Sequence, residues 1–162
     1  DSNGDSAAAA SGPGSVNQPH SRATGVVVFY PDDGTDQRWV VEVLEPVRDA
    51  TSEIVSSDSV AGPETGDVFA ATRIRVRNES GVDGASLDDL DFNAVNAAGA
   101  VIVRAENQCS VSVDDIDYSA SVGIGTQVEG NVCWSIPAAD LAGLMLGIES
   151  DKVAGRVHIS LQ

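Results

Sequence analysis

Between Val68 and Asn78 the chain alternates, with Ile74 and Val76 placed to face a core and Arg73, Arg75 and Arg77 placed to face water. A period of two commits this stretch to a half-buried β-strand and excludes a helix, whose apolar residues would recur every three or four positions. Segments of the same kind recur along the chain. Gly25 to Tyr30 is an apolar run stopped by Pro31, Asp32, Asp33 and Gly34, a strong turn signal. Gln37 to Val47 sets Trp39, Val41 and Val43 on one face and Arg38, Val40, Glu42 and Leu44 on the other, which predicts a strand interior to a sheet. Leu90 to Val95, Val101 to Val103, Cys109 to Val113, Asn131 to Ile136, Leu141 to Ile148 and Gly155 to Leu161 read as further strands, with a loop or kinked strand at the glycine-rich 123–130. Residues 48–66 are polar and predict a long surface connection with a short turn of helix. Ala138 to Leu144 has room for one or two helical turns.

Seven to nine short strands at even spacing, without a sustained helical period or an internal repeat, predict an all-β antiparallel sandwich of immunoglobulin-like type, a closed barrel being the alternative. The composition supports it. The chain is 42% hydrophobic but only 4% aromatic, so its core must be built from Val, Ile, Leu and Ala. Valine suits a pleated surface because its branched Cβ is stiff and packs well there. No stretch nears the 18 apolar residues of a membrane-crossing helix.

Residues 1–23 are dominated by Ser, Gly, Ala, Asn and Pro, with Val16 the only large apolar side chain. Such a segment buries too little surface to offset its ordering entropy, so a flexible tether over 1–23 and a folded domain over 24–162 are expected. The chain starts at Asp1 with neither an initiator methionine nor an apolar leader. A processed, exported form is expected, a fragment being the alternative. In an exported bacterial protein a tether of this kind usually links a lipid-modified cysteine, here one that would precede Asp1, to the folded domain, so an anchor at the outer face of the cytoplasmic membrane is expected. Mass spectrometry of the native protein tests that anchor, and a freely secreted, unmodified form would remove it.

Net charge is −16, from 25 acids against 9 bases, and Lys152 is the one lysine. That excess repels phosphate backbones and anionic lipid surfaces, which argues against nucleic acid and against direct membrane binding. The preference for Arg over Lys, with abundant Ala, Val and Asp, fits a high-GC bacterium or a halophile.

Between residues 66 and 161 the order of segments is distinctive. A strand ends in Asn78-Glu79-Ser80, Asp91-Phe92-Asn93-Ala94-Val95 leads to Asn96-Ala97-Ala98-Gly99, and a glycine-rich approach over 123–130 leads to Asn131-Val132-Cys133-Trp134-Ser135-Ile136-Pro137. This resembles the telokin-like, immunoglobulin-fold domains of uncharacterised Gram-positive, actinobacterial lipoproteins and secreted antigens. The sequence departs from that pattern at Ala98, where an Asp is usual, at Ile124, where a Pro is usual, and at Trp134 and Ile136, which stand for Phe and Val. The resemblance implies an exported sandwich with no established catalytic residues.

Cys109 and Cys133 are the only cysteines. In an exported β-protein two cysteines are expected to pair, and closing this loop stabilises by roughly 3–3.5 kcal/mol in the chain-entropy model. Zinc is disfavoured by the distant spacing and by the presence of only two histidines, His20 in the tether and His158 on the outward face of the last strand. A reactive thiol is disfavoured by the neighbouring Asp114, Asp115, Asp117 and Glu129. No Gly-x-Ser-x-Gly and no sign of a Cys–His pair is present, so no hydrolytic set is expected. Among the acidic clusters (32–36, 88–91 and 114–117), Asp32, Asp33 and Asp36 are the best candidates for calcium, although none has the spacing of an EF-hand loop. Solvated turns are the plainer reading.

Arg73, Arg75 and Arg77 form either a ladder of cross-strand pairs with carboxylates or a docking stripe for an anionic partner such as a wall polymer. Trp134 follows Cys133 directly, so the two point to opposite faces. If the disulfide faces the core, Trp134 turns outward and is a candidate interface residue, packing in the core or under a loop being the plainer reading. The Asn78-Glu79-Ser80 sequon reads as a turn. Together these features predict a non-catalytic module, without cofactor, that binds an envelope protein or a cell-wall polymer. A small-ligand or calcium-binding extracellular domain is the alternative.

Overall fold

The computed structural model describes residues 12–32, 34–58, 61–111, 114–152 and 155–162. In chain order its elements are β1 (Val26–Asp32), β2 (Thr35–Val43), β3 (Arg48–Asp49), helix α1 (Thr51–Asp58), β4 (Asp67–Ser80), β5 (Ala85–Ser86), β6 (Asp91–Val95), β7 (Val101–Ile102), β8 (Ser121–Val122), β9 (Gln127–Pro137), β10 (Met145–Glu149) and β11 (Val157–Ser160). Three 3₁₀ turns lie at Leu87–Asp89, Arg104–Glu106 and Ala138–Asp140.

All strand pairs are antiparallel, and they form two main sheets. The first runs β1-β2-β4-β9, with β3 sharing the β2 side of β4; the second runs β11-β10-β6-β7. β5 and β8 form a small ribbon at one end. This is the all-β, immunoglobulin-like sandwich predicted from the alternation. The eleven strands among the described residues exceed the expected seven to nine because β3, β5 and β8 are two-residue pairings that no sequence period marks.

The alternation of β4 is realised as read. Ile74 and Val76 are fully buried, and Arg73, Arg75 and Arg77 line the outer face. Trp39, Val41 and Val43 of β2 join Val26, Val28 and Tyr30 of β1 in the core between the sheets, where Phe92, Leu146, Ile148 and Ile159 meet them from the second sheet. Each buried tryptophan has its N–H satisfied: Trp39 Nε1 donates to the Tyr30 hydroxyl at 2.9 Å and Trp134 Nε1 to the Phe92 carbonyl at 3.1 Å. A second, smaller core lies on the far side of the first sheet, where α1 lays Ile54 against Ala50, Phe69, Ala71, Val111 and Cys133.

The interface reading of Trp134 and part of the expected tether do not hold. Trp134 is fully buried, so it is not an interface residue. Cys133 and Trp134 do point to opposite faces, but the disulfide belongs to the small core under α1, which leaves the main core to the indole. Of the tether expected over 1–23, residues 1–11 lie outside the described residues, and residues 14–20 are not free. Residues 14–20 lie against β11: His158 N–H donates to the Gly14 carbonyl, His20 N–H to the His158 carbonyl, and Ser160 N–H to the His20 carbonyl, at 2.8–2.9 Å. Backbone hydrogen bonds hold this segment, so its poverty in apolar side chains does not set it free.

Candidate functional site

The expected disulfide is present between Cys109 and Cys133, which lie 24 positions apart in sequence with Cα atoms 5.3 Å apart. It ties the segment after β7 to the outer side of β9. That segment also meets β9 through single bridges at Gln108–Trp134 and Asp115–Asn131. Gly130 permits the approach, since a Cβ there would lie 2.3 Å from the Ile116 nitrogen.

The arginine stripe resolves into unlike parts. Arg75 is held by Glu129 at 2.6 Å and Glu42 at 3.3 Å, and Arg73 reaches Glu129 at 3.9 Å. Hydrogen bonding to Glu129 is the main cause that raises the Arg75 pKa above its ordinary value. These two form the cross-strand ladder. Arg77 is exposed, and among the described residues it makes no ion pair.

The acid cluster proposed for calcium is not assembled. Asp33 lies outside the described residues. Asp32 is engaged by Lys152 Nζ at 2.7 Å, and Asp36 is exposed on β2. Among the described residues no group of three or more His, Cys, Asp or Glu has a metal-holding arrangement. Lys152 also reaches Asp89 at 3.2 Å and lies over the Tyr30 ring, so the one lysine clips the second sheet to the β1–β2 hairpin. Its hydrogen bond to Asp32 is the first cause that raises its pKa. Sequence reasoning missed this clip, whose partners are 120 and 63 residues apart.

His158 sits opposite the core residue Ile159, as alternation requires, but it is buried because residues 14–20 cover it; its Nδ1 lies 2.9 Å from the Gly14 carbonyl. His20 is in that covering segment. The sequon is likewise closed: Asn78 is fully buried, accepts from Gln37, and donates to the Val82 and Val122 carbonyls at 2.8 Å. It belongs to β4 and not to a turn. Two open depressions, of about 460 and 320 Å³, are lined by Asp91, Glu149, Asp151 and Arg156 in one case and by Glu64, Asp67, Phe69 and Glu106 in the other. Neither brings a histidine or a cysteine to its carboxylates.

What remains open is a sheet edge. A sandwich of two open sheets has four edges, and each is a row of unpaired backbone groups. The β9 edge is covered by the Cys109 segment, and the β11 edge by residues 14–20. The β7 edge is two residues long. The β1 edge is seven residues long, and no described residue pairs with its far side.

Its chemistry follows from the hairpin. Asp32 pairs with Thr35 across a two-residue loop, and Gly34 takes φ = 80°, where only glycine is unstrained. In such a hairpin the closing pair is hydrogen-bonded and the next pair, Pro31 with Asp36, is not, as a residue without an N–H requires. By alternation Phe29 and Val27 also turn their N–H and C=O groups outward. Their side chains, 46% and 44% exposed, lie on the outer face of the sheet. Beside them on β2, Arg38 sets its guanidinium over the Phe29 ring, 5.5 Å from the centroid. The sequence held one signal for this edge: Pro31, read as turn punctuation, is also a mark of an edge strand.

The architecture defines an antiparallel β-sandwich of immunoglobulin-like type. No protein-family model matches the chain, and no curated protein matches it. Among solved structures the fold is similar to a secreted protein of Mycobacterium tuberculosis, MPT63, at 14% identity and a TM-score of 0.54, covering 89% of this chain and 97% of that one. A conserved hypothetical protein from Bacillus anthracis aligns at 12% identity and a TM-score of 0.38, over 85% of this chain and 94% of that one, too distant in shape to inform the fold. The first likeness supports the sandwich and does not single out the telokin-like group.

Proposed function

We propose that this chain is an exported, non-catalytic interaction module of the bacterial cell envelope, working at the outer face of the membrane and docking an envelope protein on the β1 edge and the sheet face beside it. One observation carries the reading: among the described residues β1 is the one edge strand of more than two residues left uncovered, and it carries exposed Val27 and Phe29. Polypeptide partners use such edges because backbone hydrogen bonds supply affinity while side chains beside the edge supply selectivity. The disulfide suits an oxidising, exported setting. MPT63, which shares the fold, is a secreted protein.

A photo-crosslinking residue placed at position 27 tests the proposal in the native envelope, with the same residue at the exposed Ile124 as control. Capture of a defined envelope protein from position 27 and not from 124 is expected. Equal capture from both, or capture from 124 alone, would overturn it.

A further inference from the structure

We propose that the element docked on β1 is an acidic segment in extended conformation, added as a further strand, with one of its carboxylates seated on Arg38 above Phe29. This rests on the reading of β1 as the docking edge and names the chemistry of what docks there.

The edge asks for a polypeptide. Val27 and Phe29 each turn one donor and one acceptor outward in the spacing of a β ladder, which an extended backbone matches group for group. Pro31 has no donor, so the added strand runs along residues 25–29 and stops short of the hairpin tip.

The face beside the edge asks for acid. Side chains of an added strand on this face stand about 5 Å from Phe29 and Val27. Arg38 starts on β2 but reaches over β1 onto the Phe29 ring, while Glu42, whose side chain lies against Gly25, is already paired with Arg75 at 3.3 Å. One row along, Val27, Val40 and Arg77 lie side by side across three strands. Arg38 and Arg77 make no ion pair among the described residues, whereas Arg73 and Arg75, further toward β9 and Glu129, are taken up by glutamates. The cations without acids are those facing the edge.

The −16 of the chain does not forbid an acidic partner. Arg38, Arg73, Arg75 and Arg77 share this face with Asp36, Glu42, Glu79 and Glu129, so the face is balanced and the excess lies elsewhere. At physiological ionic strength that excess is screened beyond about 8 Å, and local pairing decides. A second copy of the chain is a poor occupant. On the outer face its β1 would bring Val27, Phe29 and Pro31, none of them a carboxylate, and a two-fold axis at Phe29 would set Arg38 beside Arg38.

The test uses the whole oxidised chain and three capped eight-residue peptides in which threonine alternates with glutamate, glutamine or lysine. Titrations are followed by amide NMR. Glutamate peptide should bind tightest and slow hydrogen exchange at the Val27 and Phe29 amides, while Arg38→Gln should weaken it about three- to fivefold and leave the glutamine peptide unchanged. Arg38 is exposed, so this variant keeps the fold; Phe29→Pro, which deletes one outward donor, should weaken all three peptides. Equal affinity for the three peptides, or no loss in Arg38→Gln, would overturn the proposal. So would concentration-dependent dimerisation that protects the same amides without any peptide. If position 27 still captures an envelope protein while the glutamate peptide fails to bind, the docking edge stands and its acidic occupant falls.

Discussion

The β9 edge and the β1 edge belong to the same sheet, lie on opposite sides of it, and are finished in opposite ways. β9 is closed three times over: by the disulfide to Cys109, by the bridge at Gln108, and by the bridge at Asp115, where Gly130 lets the backbone of Ile116 come close. β1 has Pro31 at one end, an arginine resting on its phenylalanine, and no cover. In the other sheet, β11 is also covered, by a segment too poor in apolar groups to fold by its own burial. A chain that spends a covalent bond and two irregular segments on closing edges, yet leaves the seven-residue β1 edge bare, has its sticky surface there.

The two regions should respond to perturbation very differently. Trp134→Ala, on the covered side, empties the core between the sheets and should cost about 3–5 kcal/mol in urea unfolding. Replacing both cysteines by serine frees the segment that covers β9 and should cost about 3 kcal/mol, without altering the exchange of β1 amides.

High pH should loosen the covered side as well. Burial pushes the Tyr118 phenol up from 10.0 to about 12, against a lowering from Arg104, whose guanidinium lies 3.7 Å above the ring. The folded state therefore holds its proton while the unfolded chain gives it up. Stability is full below pH 10 and falls by about 1–2 kcal/mol as pH rises toward 12. The raised pKa of Lys152 acts with the same sign. Tyr118→Phe should flatten the decline in denaturation curves taken from pH 9 to 12, and an unchanged slope would remove Tyr118 as its cause. The smallest effect on stability is expected at the open edge, where Phe29→Lys should stay within about 0.5 kcal/mol of the parent while abolishing capture from position 27.

Local order was readable in the sequence, and long-range cover was not. The alternation of Ile74 and Val76 with the arginines places β4 correctly, and the turn signal beginning at Pro31 falls where β1 turns back into β2. Cys133 and Trp134 were correctly set on opposite faces, but the sign of that assignment depends on α1. Ile54 and Phe69 build a second core there, which no period in residues 48–66 declares. His158 follows its alternation and is buried by residues 14–20, a contact 144 residues away in sequence. At the candidate site Arg77 was legible as an outward cation, while the open edge itself was hidden. The run Gly25 to Tyr30 is apolar on both faces, so no period separates Val27 and Phe29 from Val26, Val28 and Tyr30.

Amide hydrogen exchange along β1 in the free protein tests the open edge most directly. Val28 and Tyr30, whose N–H groups face β2, should exchange at least about a hundredfold more slowly than Val27 and Phe29, whose groups face solvent. Four amides protected to the same degree would mean that something already pairs with this strand, and the account of a bare docking edge would be wrong.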